Sequence, residues 1–311
     1  MSRYTARYQS HSRSAKRPNT ALVIDIPSMP ALLMRQHATM QLYYDVHDGP
    51  GPYVLLVHGF LSSRAQWGPN LAALARVMRP VVLELWGHGR APAPEDPALY
   101  QPDAYVEAFD QLRARLGVER WLLCGQSFGA ALTLRYALTH PDRIIAQVFT
   151  NSSSAFADAE WVKARRVSAV QQADAIERDG HAALERIPVH PIHAKRLPPD
   201  VHAVLLADAQ LHTPRGIAHT LRYTTPNVPV RQRVRDLRVP TLLVCGEREK
   251  RFMAHRAFAE RELPGLQVVG ANAGHAVNIE AAEVFNTAVV DFLGRHAALD
   301  VPSLTQRECK R

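Results

Sequence analysis

The sequence predicts an α/β protein: a mostly parallel sheet flanked by helices, with a helical segment inserted late in the chain. Three observations carry this. Short apolar runs such as 53–57, 121–124 and 144–149 show no polar alternation, as strands buried on both faces require. Segments of helical spacing alternate with them, the pattern of crossovers in a parallel sheet. Between Ser152 and Val239 the alternation stops and only helical spacing remains. Composition fits a packed domain. The chain has 311 residues, 47% hydrophobic and 21% charged, too apolar for a disordered chain. It lacks the apolar run of about 18 residues that a membrane-spanning helix needs.

The elements follow in order. Residues 40–46 read as a strand, and Asp48-Gly-Pro-Gly as a turn. A buried strand at 53–57 ends at His58-Gly59. Helical spacing at 67–77 (Leu71, Leu74, Ala75) leads to a strand at 80–85, closed by Gly87-His88-Gly89. Tyr105, Val106, Phe109, Leu112 and Leu116 make one apolar face of a helix over 103–116. A strand at 121–124 runs into Gly125-Gln-Ser-Phe-Gly129, then an Ala-rich helix at 130–138 and a strand at 144–149. Helices are expected at 161–176, 201–211 and 214–223. Strands at 240–245 and 266–269 and a closing helix at 284–293 complete the chain. The organisation is thus a disordered basic tail (1–20), a core (38–154 and 236–298) and a helical cap insertion (155–235) over the strand ends, where α/β sheets bind ligands.

The net charge of +8 is concentrated at the ends. Residues 1–20 carry five basic side chains and no acid, and residues 303–311 carry three against one, so the body is nearly neutral. Two basic tails on a neutral body do not make a nucleic-acid surface, and neither a nucleic acid nor a membrane is expected as partner. Three cysteines, Cys124, Cys245 and Cys309, make no disulfide framework. The first 20 residues have no apolar core of a secretory signal. A cytoplasmic protein acting on a small molecule is the expectation.

The chemistry centres on Gly125-Gln126-Ser127-Phe128-Gly129. About 0.1 matches to Gly-x-Ser-x-Gly arise by chance in a chain this long, but here an apolar strand runs in and a helix runs out. A serine at a sharp strand-to-helix corner needs small flanking residues, so that the backbones can pass closely. The helix N-terminus beside it offers free N–H groups to a developing oxyanion. A serine hydroxyl needs a base, and the base needs an orienting acid. His275 follows the last strand in Ala-Gly-His. Glu249 follows the strand before it, with Glu247 as an alternative two residues earlier. His190 and His193 sit in a Pro-rich loop with no Cys or acid at ligand spacing, so no metal site is expected. Arg165 and Arg166 are the candidate contacts for an anionic substrate.

Over roughly residues 38–295 the chain resembles the α/β-hydrolase superfamily. The matching pieces, in order, are His58-Gly59-Phe60, Gly87-His88-Gly89, the serine motif, Leu237-Arg-Val-Pro240 leading into Leu242-Leu-Val244, Gly246 three residues before Glu249, and Gly274-His275 with Glu280 beyond. The resemblance implies Ser127 as nucleophile, His275 as general base and Glu249 as the acid. Oxyanion donors would be the backbone N–H groups of Phe60 and Phe128, with no metal or organic cofactor. It also implies a strand between those bearing Cys124 and Cys245, too wide a gap for a disulfide. His58 reads as structural. Departures are Glu rather than Asp at the acid position, Glu84 where an Asp often precedes the Gly-His-Gly turn, and Trp86, just before that turn, at a position commonly Arg or Pro. Ser127 argues against the Asp-dependent dehalogenases and epoxide hydrolases. Ala276 departs from the Trp that ring-cleavage C–C hydrolases often carry, and Ala131 from the Arg of the menaquinone-pathway lyases. The expected activity is therefore a carboxylic ester hydrolase. A C–C hydrolase or lyase, or a cofactor-free perhydrolase, is the alternative.

Overall fold

In a computed structural model that describes residues 41–300, seven strands form one sheet in the order β1-β3-β2-β4-β5-β6-β7. They are β1 (Tyr43–Val46), β2 (Tyr53–Val57), β3 (Arg79–Glu84), β4 (Trp121–Gly125), β5 (Ile144–Thr150), β6 (Thr241–Gly246) and β7 (Gln267–Ala271). β1 pairs antiparallel with β3 at one edge, and every other pairing is parallel. The tail at 1–20 and Cys309 lie outside the described residues. Cys124 and Cys245 are buried and free, with β5 between their strands.

The strand alternation sorts the core into two layers. Leu55, Val57, Leu123, Phe149 and Leu243 face one side. There they meet α2 (Pro102–Arg115) and α3 (Phe128–Thr139). Val54, Leu56, Leu122, Val148 and Leu242 face the other. There they meet α1 (Gly68–Leu74) and the C-terminal helix (Ala282–Asp300), through Leu74, Phe285, Val289 and Phe292. Both faces are covered, so the central strands carry no polar alternation.

Some boundaries differ from the sequence reading. The helix expected at 67–77 is a 3₁₀ turn, Arg64–Trp67, followed by α1, which ends at Leu74. Pro69 starts that helix, where its missing N–H costs nothing. The segment between β5 and β6 holds α4 (Ala159–Asp179), α5 (His181–Glu185), α6 (Pro199–Ala209) and α7 (Pro214–His219). The helix expected at 214–223 changes to a π turn over Thr220–Thr224. α8 (Met253–Glu262), the crossover from β6 to β7, was not anticipated. Ala169, Ala173, Ile176, Leu184, Ile217 and Leu221 pack together with Leu61, which joins the helical segment to the loop after β2.

Candidate active site

Ser127 stands between β4 and α3 with φ +52° and ψ −110°, one of two non-glycine residues with positive φ among those described. Such a conformation persists only where the surroundings enforce it. Here a Cβ on Gly125 would come within 2.4 Å of Thr133 Oγ1 and 2.6 Å of Ala130 Cα. A Cβ on Gly129 would lie 2.3 Å from the Val57 carbonyl oxygen. The two glycines are therefore where helix and strand touch, and the corner between them carries the serine. The Ser152 hydroxyl donates to the Ser127 carbonyl at 2.6 Å and ties the corner to the end of β5.

Three side chains from three loops meet. His275 Nε2 lies 2.8 Å from Ser127 Oγ, and His275 Nδ1 lies 2.9 Å from Glu249 Oε2. With Nδ1–H donating to the carboxylate, Nε2 is left as the acceptor of the serine proton. Gly246 makes the approach possible: a Cβ there would sit 1.9 Å from the Gly274 carbonyl oxygen, so the acid loop and the histidine loop lie against each other. Glu280 Oε2 accepts from Gly274 N–H at 2.9 Å and from the Arg248 guanidinium at 2.8 Å, which fixes the turn before His275. Glu247 is paired instead with Arg256 at 2.8 Å and half exposed, so of the two candidate acids Glu249 is the one that reaches the imidazole.

Asn151, at the end of β5, was not singled out from the sequence. Its Nδ2 donates to Glu249 Oε2 at 2.7 Å and to the Gly246 carbonyl at 2.9 Å, while its Oδ1 accepts from Gly246 N–H at 2.9 Å. Burial raises the Glu249 carboxyl, but hydrogen bonds from His275 and Asn151 outweigh it and leave the group below its ordinary range. Nothing local marks Asn151: its partners lie about 95 residues away in sequence.

The loop after β2 turns back through Ser62 N–H to Gly59 C=O at 3.2 Å, with Leu61 at φ +55°. Gly59 N–H donates to Gln66 Oε1 at 3.2 Å. Among the described residues neither Phe60 N–H nor Phe128 N–H has a protein acceptor, which leaves both expected donors open. Buried amides support this loop. Gln66 Nε2 donates to Asn278 Oδ1 at 3.3 Å, and Asn278 Nδ2 to the Gln66 carbonyl at 3.0 Å and to Asn70 Oδ1 at 3.1 Å. The turn after β2 and the segment after His275 are thereby bolted together.

The remaining candidates separate. His58 is buried, its Nδ1 2.7 Å from Gly59 C=O and its Nε2 accepting from Leu85 N–H at 3.1 Å; burial pushes its pKa down to about 4. It holds strand ends and does not reach Ser127. Glu84 is buried beneath the Gly-His-Gly turn, accepting from Arg90 N–H at 2.5 Å, and Trp86 packs on Tyr105. Arg165 bonds Gln172 and Arg166 bonds Asn227; neither lines the cleft around Ser127. That cleft has a volume of about 380 Å³. Part of its lining comes from the segment 188–197, between α5 and α6, His190 and His193 included. A larger concavity of about 720 Å³ lies by Arg231, Arg233 and Arg235 and contains no nucleophile–base pair.

A family model described as alpha/beta hydrolase fold matches residues 52–282. The chain belongs to the α/β-hydrolase family. A Bacillus subtilis (strain 168) protein provisionally named 2-succinyl-6-hydroxy-2,4-cyclohexadiene-1-carboxylate synthase is 27% identical to this α/β hydrolase, over 81% of the chain and 94% of the relative. Carboxylesterase YbfK of the same organism is 26% identical, over 80% and 83%. Among solved structures, the enol-lactonase from Burkholderia xenovorans LB400 has a TM-score of 0.67 at 25% identity, covering 81% of this α/β hydrolase and 96% of that chain. MenH from S. aureus has a TM-score of 0.72 at 19% identity, covering 82% and 98%, a likeness of fold.

Proposed function

We propose that this α/β hydrolase cleaves carboxylic esters through Ser127, His275 and Glu249. The observation that carries the reading is the unbroken hydrogen-bonded chain from Glu249 Oε2 through the imidazole to Ser127 Oγ. Ser127 Oγ attacks the ester carbonyl as His275 Nε2 takes its proton. The carbonyl electron pair moves onto oxygen, which receives the N–H groups of Phe60 and Phe128. Each such donor is worth about 3–4 kcal/mol in the transition state. The tetrahedral intermediate collapses, the C–O bond breaks, and His275 returns its proton to the leaving alkoxide. Water then repeats the sequence on the acyl-enzyme, releasing acid and free serine. Glu249 stays ionised and stabilises the imidazolium. The segment 155–235 serves as a cap whose loop 188–197 shapes the small-molecule cleft.

A carbon–carbon lyase acting on a carbonyl compound is the second reading, favoured by the name of the 27% identical relative. Ala131, buried where that branch carries an Arg, supplies no charge for such a substrate. Turnover of short p-nitrophenyl esters separates the two. We expect Ser127→Ala to keep its thermal stability and lose at least about 10³-fold in kcat. Phosphonate labelling that persists in Ser127→Ala places the nucleophile elsewhere and overturns the proposal.

A further inference from the structure

The cleft that holds Ser127 is also lined by two adjacent cations, Lys195 and Arg196, both exposed. Among the described residues neither belongs to an ion pair. The two carboxylates that line the same cleft are engaged: Glu249 by His275 and Asn151, Glu280 by Arg248 and Gly274 N–H. With Glu280 paired to Arg248, Lys195 and Arg196 outnumber the ionised Glu249, so the net charge lining the cleft is positive, and concave walls of low dielectric concentrate that field.

The loop that presents the two cations is held in place by hydrogen bonds. His190 is buried, and its Nδ1 accepts from Ile192 N–H at 3.2 Å. His193 Nε2–H donates to Glu185 C=O at 2.8 Å, and His202 Nε2–H to Pro191 C=O at 2.9 Å. Pro191 itself is buried. The loop backbone, fixed in this way, loses little freedom when a ligand meets the side chains that it carries. Of the two imidazoles weighed as metal ligands in the sequence, His190 accepts from a turn N–H and His193 donates to a backbone carbonyl, both on the loop that bears Lys195 and Arg196.

We propose that the substrate of this site is an ester that also carries a carboxylate, bound by Lys195 and Arg196 while the scissile carbonyl lies at Ser127. The inference rests on the ester-hydrolase reading and adds to it the substrate class. A guanidinium grips a carboxylate through two parallel N–H bonds and an ammonium adds a point charge, so the pair sets both position and charge preference.

The test compares three probes on the full chain: p-nitrophenyl pentanoate, the p-nitrophenyl half-ester of glutarate, and p-carboxyphenyl pentanoate. The two charged probes place the carboxylate on the acyl side or the alcohol side. The readout is kcat/KM of each charged probe relative to the neutral one. In K195Q/R196Q that ratio is expected to fall at least about fivefold for one charged probe, and K195E/R196E to lower it further. R166Q, on a neighbouring helix outside the cleft, is the control and leaves the ratio unchanged. A ratio that stays constant in both double variants, with all esters hydrolysed, overturns the inference and leaves the hydrolase reading standing. If wild type turns over no ester, the hydrolase reading fails. Calorimetry of the glutarate half-ester then decides separately: salt-sensitive binding lost in K195Q/R196Q supports an anion site, and equal binding by both proteins rejects it.

Discussion

Replacing Glu249 by Gln removes a charge, and Asn151 decides what else it does. In the native site one oxygen, Glu249 Oε2, accepts from both His275 Nδ1 and Asn151 Nδ2. A glutamine has two settings. With its carbonyl oxygen in that place both bonds survive and only the charge is lost. With its NH₂ there, two donors face Asn151 Nδ2, and His275 is driven into the tautomer that protonates Nε2. Asn151 cannot flip to accommodate the second setting, because Gly246 N–H and C=O hold both ends of its amide at 2.9 Å. The first setting is therefore enforced. Losing the charge while keeping the bond costs about 2–3 kcal/mol of imidazolium stabilisation, or roughly 30- to 200-fold in kcat. Releasing the amide with Asn151→Ala in the same chain opens the second setting, and the fall should approach the about 10⁴-fold of a wrong tautomer. Asn151→Ala alone is expected to cost about tenfold or less. The assay is a double-mutant cycle on kcat with a p-nitrophenyl ester, with melting temperatures taken alongside. A double variant no worse than the product of the singles refutes the reasoning. So does Glu249→Gln alone falling by about 10⁴. A larger loss in Glu247→Gln than in Glu249→Gln refutes the choice of acid itself.

Two further predictions concern stability. His58, His88 and His212 are buried and close together, and burial pushes them down, His58 to about 4 and His212 to about 3. Unfolded histidines take up a proton near pH 6.5, so below that the unfolded state binds more protons. Stability is complete above about pH 6.5 and is lost as pH falls toward about 4, by up to about 1.4 kcal/mol per pH unit for each group. A melting temperature that stays level from pH 7 to pH 5 contradicts this. Gly129→Ala is expected to cost about 1–3 kcal/mol, because its Cβ would meet two backbone carbonyls, those of Val57 and His58, at 2.3 and 2.5 Å. An unchanged denaturation midpoint counts against that contact.

The sheet was legible because burial on both faces leaves a one-letter trace. Leu55, Val57, Leu123 and Leu243 fill one layer, and Val54, Leu56, Leu122 and Leu242 the other, with the hydrogen-bonded Gln147 and Thr241 as buried polar exceptions. Helix ends were less legible. α1 stops at Leu74 although Ala75 and Val77 continue an apolar pattern, because the chain there turns through Met78 N–H to Leu74 C=O toward β3. α8 left little trace. Its Met253–Glu262 sequence is dominated by charge, and only Ala259 is buried.

The site divides along the same physical line. Ser127, His275 and Glu249 follow strand ends, glycines at 125, 129 and 246 mark where chain segments pass closely, and the three side chains named from residue type and order meet. The choice between Glu249 and Glu247 needed space: after Gly246 the chain is not extended, since Glu249 N–H returns to Gly246 C=O at 3.3 Å, and the carboxylate is carried inward. Asn151, Gln66, Asn70 and Asn278 left no signal at all. Each is a common polar residue, in a short helix, a 3₁₀ turn or just after a strand, and the Gln66–Asn278 bonds span 212 positions. What they do follows from satisfaction rather than pattern. Burial obliges every amide to find a partner, and the partners available are the backbone of the turn bearing Phe60 and the segment beyond His275. A buried amide network therefore sets the distance between the turn bearing Phe60 and the segment after His275, and that distance belongs to the folded chain alone.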